Sequence, residues 1–411
     1  MITKRLNIFD IACEEVKKYC DTYFKVIAAY ATAGNVTGDD KSVNPSYPTT
    51  LLAYQLNDYH VFELLGSTKN YKNLSLIKRK NIRHIDDVLG NFKTSATKNL
   101  YTFAGTGCSL LGLRIMSKRD VENFNTRYPG MDTIHKSILQ LEDVSEWESF
   151  NAISLVDPKC NIKSFWLNNI LTVNSYKNIV RMRYFQTLVV LDKYVDIKNV
   201  FEKLFPINGN MHLLVSIDGD VNGVHLNRAA NFASLTSIKT PETTIGKFLD
   251  ENSDILLSAL NAIKIIPQPK LEWIKKISGN NKSTIIPDFI FVDHQGNAHL
   301  CDLKLPLLDK KSLTKGDRER RRFIDNVAEG ISQLANYEEY FTYPENANYA
   351  LKKYGITMNK PRKVLIVGSF ENFNADKVSE ANRERGANAP EIIDYDTLRN
   401  AYLMNKGVLS H

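Results

Sequence analysis

Apolar residues in the first half of the chain follow both helical and strand-like spacings. They recur at helical spacing through residues 8–34, which predicts one or two helices. Apolar runs at residues 184–191 and 212–217 predict strands, and residues 197–205 predict another helix. We therefore expect residues 1–235 to form a mixed α/β region with room for two subdomains.

A second pattern starts where Ser, Thr and Lys gather at residues 233–244. There Thr240-Pro241-Glu242 is a typical helix start, with a hydroxyl N-cap followed by proline at the first helical position. We place a domain boundary here and treat residues 240–405 as a separate unit. Its short apolar strands between helices indicate an α/β class, with a small sheet flanked by helices. The predicted elements are helix, strand, strand, long helix, strand and helix, at residues 241–262, 285–293, 298–305, about 317–341, 363–369 and about 394–404.

The composition indicates a globular protein and argues against a membrane protein or a disulfide-rich secreted one. With 43% hydrophobic and 10% aromatic residues, the chain is expected to be globular. Its 411 residues exceed the roughly 100–200 of one domain. No apolar run approaches the roughly 18 residues of a membrane helix, and the N-terminus lacks a secretory apolar region, so no membrane partner is expected. Five cysteines without a C-x-x-C pair argue against disulfides and predict a reducing cytoplasm.

The net charge of +7 permits a nucleic-acid partner without demanding one. The basic excess falls in residues 1–240, because acidic and basic side chains nearly balance in the remainder. Charge alone therefore does not decide between a nucleic-acid enzyme and other functions.

Candidate chemistry lies in the two strands that follow the first helix of the second unit. A polar, glycine-containing turn joins them, which predicts a β-hairpin. We expect Val292 to pair with Ala298 across this turn. That register places Asp288 opposite Asp302, with Lys304 two residues further along the same face. Two carboxylates and one ammonium group are predicted to converge.

Such a cluster is costly in apolar strands unless its charges are neutralised. Asp oxygens suit Mg²⁺ or Mn²⁺, and a lysine can orient or deprotonate an attacking water. Asp288 and Asp302 are therefore predicted metal ligands and Lys304 a catalytic residue for metal-assisted phosphodiester hydrolysis. The alternative is a structural ion pair on a core strand.

Glu242 is the best candidate for a further catalytic and metal-binding carboxylate, because its helix face carries Ile245 and Leu249 inward. An equally simple interpretation is a first-turn acid that favours the helix dipole. Glu272 is a weaker alternative.

Pro287-Asp288, a gap, and Asp302-x-Lys304 resemble the PD-(D/E)xK motif of restriction-endonuclease-like nucleases. Gln333-x-x-x-Tyr337 resembles a pair that supports the site and substrate in RecB-like members of that superfamily. This resemblance implies a catalytic role for Gln333 and a DNA contact for Tyr337. A basic cluster precedes them and either grips DNA phosphates or is a solvated helix face; it consists of Arg318, Arg320, Arg321 and Arg322.

A finer resemblance, over about residues 240–405, is to the Shedu antiphage nucleases. It implies a restriction-endonuclease-like core, metal-dependent DNA cleavage in bacterial defence, a dimer or tetramer, and an N-terminal region that controls the nuclease. Asp302 stands where Glu is commoner in that family, which is an allowed variant. The resemblance does not reach residues 1–235. Its motifs are Glu242-x-x-Ile245-x-x-Phe248-Leu249, Ile286-Pro-Asp-Phe289, Asp302-Leu-Lys-Leu-Pro306, Gln333-x-x-x-Tyr337, Val364-Leu-Ile-Val-Gly368 and Ile393-Asp-Tyr-Asp-x-Leu398.

The sequence thus predicts a Mg²⁺- or Mn²⁺-dependent endonuclease that acts on double-stranded DNA, with residues 1–235 gating its activity. A catalytically silent DNA-binding or sensor protein on the same fold is the alternative. The intact set of Asp288, Asp302 and Lys304 favours the enzyme.

Overall fold

The computed structural model describes residues 7–33, 44–79, 88, 102–105, 152–157, 162–176, 179–204, 216–218, 221–275 and 283–406. The chain divides into two units, residues Met1–Ser234 with Lys406–His411 and residues Leu235–Asn405. Among the helices of these ranges, none is both long enough and apolar enough to cross a membrane.

The N-terminal unit is built on a seven-stranded sheet in the order β4-β2-β3-β8-β7-β5, with β6 also paired to β7. A separate two-stranded sheet joins β1 and β9. The strands are β1 (Asn44–Ser46), β2 (Thr50–Gln55), β3 (Tyr59–Leu65), β4 (Ser75–Arg79), β5 (Thr102–Gly105), β6 (Ala152–Asp157), β7 (Ile162–Tyr176), β8 (Ile179–Asp192) and β9 (Ser216–Asp218). The helices are α1 (Ile8–Thr32), α2 (Ile197–Leu204) and α3 (Val221–Ser237), the last of which ends just inside the second unit.

Helix α1 forms where the sequence repeats apolar residues at helical spacing. Phe9, Val16, Tyr23 and Ile27 fall on one stripe and are fully buried. They join a core with residues of β2 and β3 and with Phe201 of α2. Helices α1 and α2 and strand β8 confirm the predictions for residues 8–34, 197–205 and 184–191. The strand predicted at residues 212–217 overlaps β9, and its residues 212–215 lie outside the described residues.

A five-stranded mixed sheet organises the C-terminal unit, in the order β10-β13-β14-β17-β18. β10, β13 and β14 are antiparallel, whereas β14, β17 and β18 are parallel. The strands of this unit are β10 (Ala262–Pro267), β11 (Leu271–Glu272), β12 (Thr284–Ile285), β13 (Phe289–Asp293), β14 (Ala298–Leu303), β15 (Thr314–Lys315), β16 (Arg322–Phe323), β17 (Lys363–Ile366) and β18 (Glu391–Ile393). Its helices are α4 (Glu242–Glu251), α5 (Asp254–Leu260), α6 (Asp325–Thr342), α7 (Pro344–Tyr354), α8 (Ala375–Asn382) and α9 (Tyr395–Asn405).

The predicted fold class is confirmed: both units are mixed α/β, and the second has a small mixed sheet with helices packed on it. Its core joins the middle strands to helix α6 through Leu300, Leu365, Val327 and Leu334, all fully buried. This packing places one face of α6 over the ends of β14 and β17, where the candidate site lies.

Two predicted helices have different limits in the structure. The helix predicted at residues 241–262 is two helices, and α5 ends at Asn261 in a left-handed conformation before β10 starts. Its first helix begins at Glu242 with Pro241 at the N-cap and no capping side chain, so the predicted hydroxyl cap at Thr240 is wrong. The long helix begins at Asp325, because the preceding residues form β15, a short 3-10 turn and β16.

Candidate active site

The hairpin register predicted from the sequence is confirmed. Val292 pairs with Ala298, and the pairing continues to Phe289 and Cys301. Asp288 is the residue just before β13, so the next position in this register brings it opposite Asp302 on β14. Its carboxylate accepts a hydrogen bond of 2.8 Å from the main-chain N–H of Leu303. This contact holds Asp288 at the end of the strand that carries Asp302.

The three predicted catalytic side chains come together at this point. Asp302 is only 1% exposed, and its carboxylate accepts a hydrogen bond of 2.7 Å from Nζ of Lys304. Asp288 and Asp302 face each other across the hairpin, close enough for each to influence the pKa of the other. Lys304 Nζ also donates to the carbonyl of Leu303 at 3.0 Å. A buried carboxyl, that of Asp302, and a partly buried one, that of Asp288, therefore lie beside a single ammonium group.

Burial and charge shift the pKa values of these groups. Burial, together with the facing Asp288, raises the pKa of Asp302 to about 7, although Lys304 acts in the opposite direction. Burial also raises the pKa of Asp288. For Lys304, burial alone would lower the pKa, but the carboxylates of Asp302, Glu242 and Asp288 outweigh it and raise the pKa. Lys304 is thus held as an ammonium ion, beside carboxyls that resist joint ionisation.

Glu242 lies at the start of α4, at the edge of this cluster. Its Oε1 is 4.0 Å from Lys304 Nζ, and its side chain is 37% exposed. Burial raises the pKa of Glu242, and Asp288 contributes to the increase. Glu272, the weaker alternative, instead forms an ion pair of 3.9 Å with Lys353 on α7. Glu242 is the acid that the fold brings to the site.

A divalent cation suits the chemistry of this donor set. When Asp288, Asp302 and Glu242 are all ionised, Lys304 neutralises one of three negative charges in the cluster. Mg²⁺ takes one or two protein carboxylates and completes its shell with waters and phosphate oxygens, so Asp288 and Asp302 are sufficient protein ligands. Within the described ranges, no three His, Cys, Asp or Glu side chains are grouped closely enough to hold a metal. Glu242 as a third ligand stays a prediction.

Gln333 and Tyr337 reach the site from α6, as their spacing on one helix face predicts. The side-chain oxygen of Gln333 accepts from Lys304 Nζ at 2.9 Å, and its amide group donates to the Tyr337 hydroxyl at 2.6 Å. Tyr337 in turn donates to the carbonyl of Ile286 at 3.3 Å. This chain of hydrogen bonds links Lys304 to the segment that leads into Asp288.

The four arginines of the basic cluster before α6 differ in their exposure and in their contacts. Arg320 and Arg322 are exposed, near the turn between β15 and β16. Arg321 is held by Glu380 of α8 in an ion pair of 2.6 Å, and both side chains are largely buried. Arg318 falls in the same 3-10 turn, and its side chain lies outside the description. The predicted helix start is therefore wrong for these residues, and Arg321 stabilises the fold.

Two residues to which no role was given also pack against or bond to Lys304: Gly330 of α6, and Tyr395 of the Ile393–Leu398 motif. A Cβ on Gly330 of α6 would lie 2.7 Å from Leu365 Cδ1 and 3.2 Å from Lys304 Cγ, so only glycine lets the helix approach so closely. Tyr395 donates its hydroxyl to the main-chain carbonyl of Lys304 at 2.8 Å. Gly330 lies about one helical turn before Gln333 on α6, whereas no sequence signal connects Tyr395 with Lys304.

The family comparison covers the unit that carries this site. Residues 239–398 match the family described as Shedu protein SduA, C-terminal. The resemblance to Shedu is confirmed for this region. The matched range includes Glu242, all three central residues, and both Gln333 and Tyr337. It does not extend into the preceding residues, and no curated protein matches the chain.

Solved structures give weaker similarities. A crystal structure of a repair endonuclease from Pyrococcus abyssi is 14% identical, with coverage of 72% of this chain and 85% of that chain, at a TM-score of 0.17. A structure of an EndoMS–dsDNA2 complex is 13% identical, with 73% and 98% coverage, at a TM-score of 0.18. Such low TM-scores carry no argument about this protein.

Proposed function

We propose that this protein is a divalent-metal-dependent DNA endonuclease of antiphage defence, with its active site at Asp288, Asp302 and Lys304. The observation that carries the proposal is the convergence of two carboxyls, the buried Asp302 and the partly buried Asp288, with one ammonium group at one end of β14. A structural ion pair would need one carboxylate for one lysine, whereas here a second carboxyl shares the site. The Shedu match over residues 239–398 supports the same function.

A magnesium or manganese ion held by Asp288 and Asp302 would supply Lewis-acid stabilisation of the phosphate that is attacked. The remaining chemistry belongs to protein side chains. Lys304 is protonated in the metal-free protein, so its ammonium is available to hold the attacking water and to stabilise negative charge on the phosphate in the transition state. Gln333 keeps that ammonium directed toward Asp302, and Tyr337 fixes Gln333.

Double-stranded DNA is the proposed substrate. Arg320 and Arg322 are exposed on the same unit and are proposed to contact DNA phosphates, whereas Arg321 is occupied by Glu380. Tyr337 is only 4% exposed and is proposed to act through Gln333 and the Ile286 carbonyl rather than through a broad DNA contact. A cytoplasmic location and a homo-oligomer, dimer or tetramer, complete the proposal and rest on the sequence and the family resemblance.

Control of the nuclease by the N-terminal region is also proposed, on the resemblance alone. A protease site inserted at residues 238–240 tests it in a chain that contains both units. If the region restrains the nuclease, cutting at this site changes the rate of DNA cleavage. An unchanged rate after complete proteolysis would contradict gating.

The direct test compares cleavage of linear and supercoiled DNA with Mg²⁺, Mn²⁺ or EDTA. Wild type is compared with Asp302→Ala, Lys304→Ala and a matched control, Lys247→Ala, which removes an exposed lysine of α4. We expect metal-dependent cleavage by wild type and Lys247→Ala, and loss of cleavage in the other two variants. Cleavage that persists in Lys304→Ala would refute the assigned site.

Absence of cleavage in the wild type with any metal or DNA form would favour the catalytically silent DNA-binding protein. Binding of the same DNA, measured by fluorescence anisotropy, then identifies that alternative. A thermal shift on adding Mg²⁺ separates a metal-binding site from a purely structural ion pair, because only a protein that binds the ion is stabilised by it.

A further inference from the structure

Tyr395 makes a contact with Lys304 that is independent of the lysine side chain. Its hydroxyl donates to the main-chain carbonyl of Lys304 at 2.8 Å, across 91 residues of sequence. The tyrosine is 1% exposed. From this geometry we infer that Tyr395 is a positioning residue of the proposed nuclease, which fixes the peptide of Lys304 so that the ammonium group points at Asp302.

Lys304 needs such support because it is the first residue beyond β14. Its N–H still donates to the carbonyl of Ile366 on β17 at 2.8 Å, but regular strand pairing ends there. On the preceding residue, the N–H of Leu303 is taken by the Asp288 carboxylate. The carbonyl of Lys304 is a further point at which the main chain is held here, and Tyr395 holds it.

The fold fixes Tyr395 from both sides. Its N–H donates to the carbonyl of Gly368 at 3.2 Å. The carboxylate of Asp394 accepts from the N–H groups of Asp396 and Thr397 at 3.1 and 3.0 Å, which caps the first turn of α9. The hydroxyl of Tyr395 is thus carried by a helix start that has little freedom to move.

Gly368 explains how the end of β17 reaches this helix start. It has a φ of +84°, and a Cβ there would lie 2.7 Å from Oδ1 of Asn372. The resulting turn also lets the Gly368 N–H donate to the carbonyl of Leu305 at 3.2 Å. The Val364–Gly368 and Ile393–Leu398 motifs, which have no catalytic side chain of their own, therefore hold the main chain around Lys304.

The predicted effect on DNA cleavage rests on the proposed function. The hydrogen bond between Tyr395 and the Lys304 carbonyl does not. Tyr395→Phe removes the hydroxyl and keeps the ring. A matched control is Tyr340→Phe, since Tyr340 is also buried and donates its hydroxyl to a main-chain carbonyl, that of Glu272, at 3.0 Å. Both variants lose one buried hydrogen bond, but only the first loses it at Lys304.

Two measurements on the full-length chain test the inference. In steady-state cleavage of a labelled duplex at saturating Mg²⁺, we expect kcat of Tyr395→Phe to fall by about 10- to 100-fold with little change in KM, as displacement of a catalytic group predicts. In metal-free hydrogen–deuterium exchange, we expect peptides that contain residues 303–306 to exchange faster in Tyr395→Phe. Tyr340→Phe should resemble the wild type in both.

The two measurements also separate failure of this inference from failure of the proposed function. If wild type does not cleave DNA, the proposed function fails, and the exchange result alone supports or overturns the positioning role. Wild-type exchange in Tyr395→Phe would overturn the inference. An equal loss of kcat in both tyrosine variants would also overturn it, because the effect would then be structural.

Discussion

The side-chain oxygen of Gln333 lies 2.9 Å from the ammonium nitrogen of Lys304 and accepts a hydrogen bond from it. Asp302 accepts from the same ammonium at 2.7 Å, so the lysine lies between a charged and a neutral acceptor. The carboxylate supplies most of the attraction, because hydrogen bonds between charged groups are the stronger kind. Gln333 adds direction without adding to the excess negative charge.

Replacing Gln333 tests its directing role. Because the lysine keeps its charge and its contact with Asp302, we expect Gln333→Ala to lower kcat by about 10- to 100-fold, the usual cost of losing a residue that orients a catalytic group. Tyr337→Phe should cost less, since Tyr337 contacts Gln333 and not Lys304. Ser332→Ala, one residue away and facing solvent, is the control. Full activity in Gln333→Ala would exclude a directing role.

Asp302 provides a prediction about stability. Its pKa is about 7 in the folded protein and about 3.8 in an unfolded chain, so the folded state binds a proton more tightly. Its contribution to stability is therefore greatest below pH 3.8 and is lost as the pH rises through about 7. In metal-free protein at pH 8, Asp302→Asn should raise the melting temperature, even though the proposed function predicts that it abolishes cleavage.

With Mg²⁺ bound, the wild type should instead have the higher melting temperature of the two proteins. A bound divalent cation neutralises the carboxyl pair and stabilises the wild type, whereas Asp302→Asn loses a ligand and should show a much smaller thermal shift. Differential scanning fluorimetry at pH 8, with EDTA or with increasing Mg²⁺, measures both effects. A lower melting temperature of metal-free Asp302→Asn would mean that the ion pair with Lys304 outweighs the repulsion from Asp288.

Gly330 leads to a prediction in which helix propensity and packing oppose each other. Alanine in a helix interior is favoured over glycine by about 1 kcal/mol. At Gly330, however, the added Cβ would lie 2.7 Å from the buried Leu365 and 3.2 Å from Lys304 Cγ. We expect Gly330→Ala to reduce both stability and kcat, the latter by at least about tenfold, because the lysine must shift.

Gly246 is a suitable control for that substitution. It also lies in a helix, α4, but its added Cβ would meet only Leu303 Cδ1 at an ordinary 3.7 Å. Gly246→Ala should therefore keep full activity and the same or slightly greater stability in urea unfolding. If Gly330→Ala behaves like Gly246→Ala, close packing against Lys304 is not required for catalysis.

The central site was predictable from the sequence because local patterns determine it. The polar turn and the two apolar runs set the register of β13 and β14, and the register alone brings Asp288 to Asp302. β10 was missed because its residues Ala262–Pro267 continue the apolar spacing of the helix before it. The role of Tyr395 was not predictable, since it depends on a contact with a residue 91 positions away.

The environments of the arginines in Arg318–Arg322 could not be predicted from the sequence either, because they also depend on how the chain folds back. The sequence placed them at the start of the long helix, but Gly316 at a φ of +86° and the pairing of β15 with β16 turn the chain back before α6 begins. As a result, neighbouring arginines differ in environment: Arg321 is paired with Glu380, whereas Arg320 and Arg322 are exposed. Sequence alone treats them as one cluster.

This difference in environment predicts that substituting Arg322 affects DNA binding, whereas substituting Arg321 affects stability. Arg322→Ala should weaken binding of duplex DNA and reduce the slope of log affinity against log salt by about 1, as loss of one phosphate contact predicts. Arg321→Ala should leave that slope unchanged but lower stability by about 1 kcal/mol or more, because it leaves the largely buried Glu380 without its ion pair. Fluorescence anisotropy at several salt concentrations and urea unfolding give the two readouts, with Glu380→Gln as the control that weakens the ion pair from its acidic side. An unchanged salt slope in Arg322→Ala, together with unchanged affinity, would show that this exposed arginine does not contact DNA.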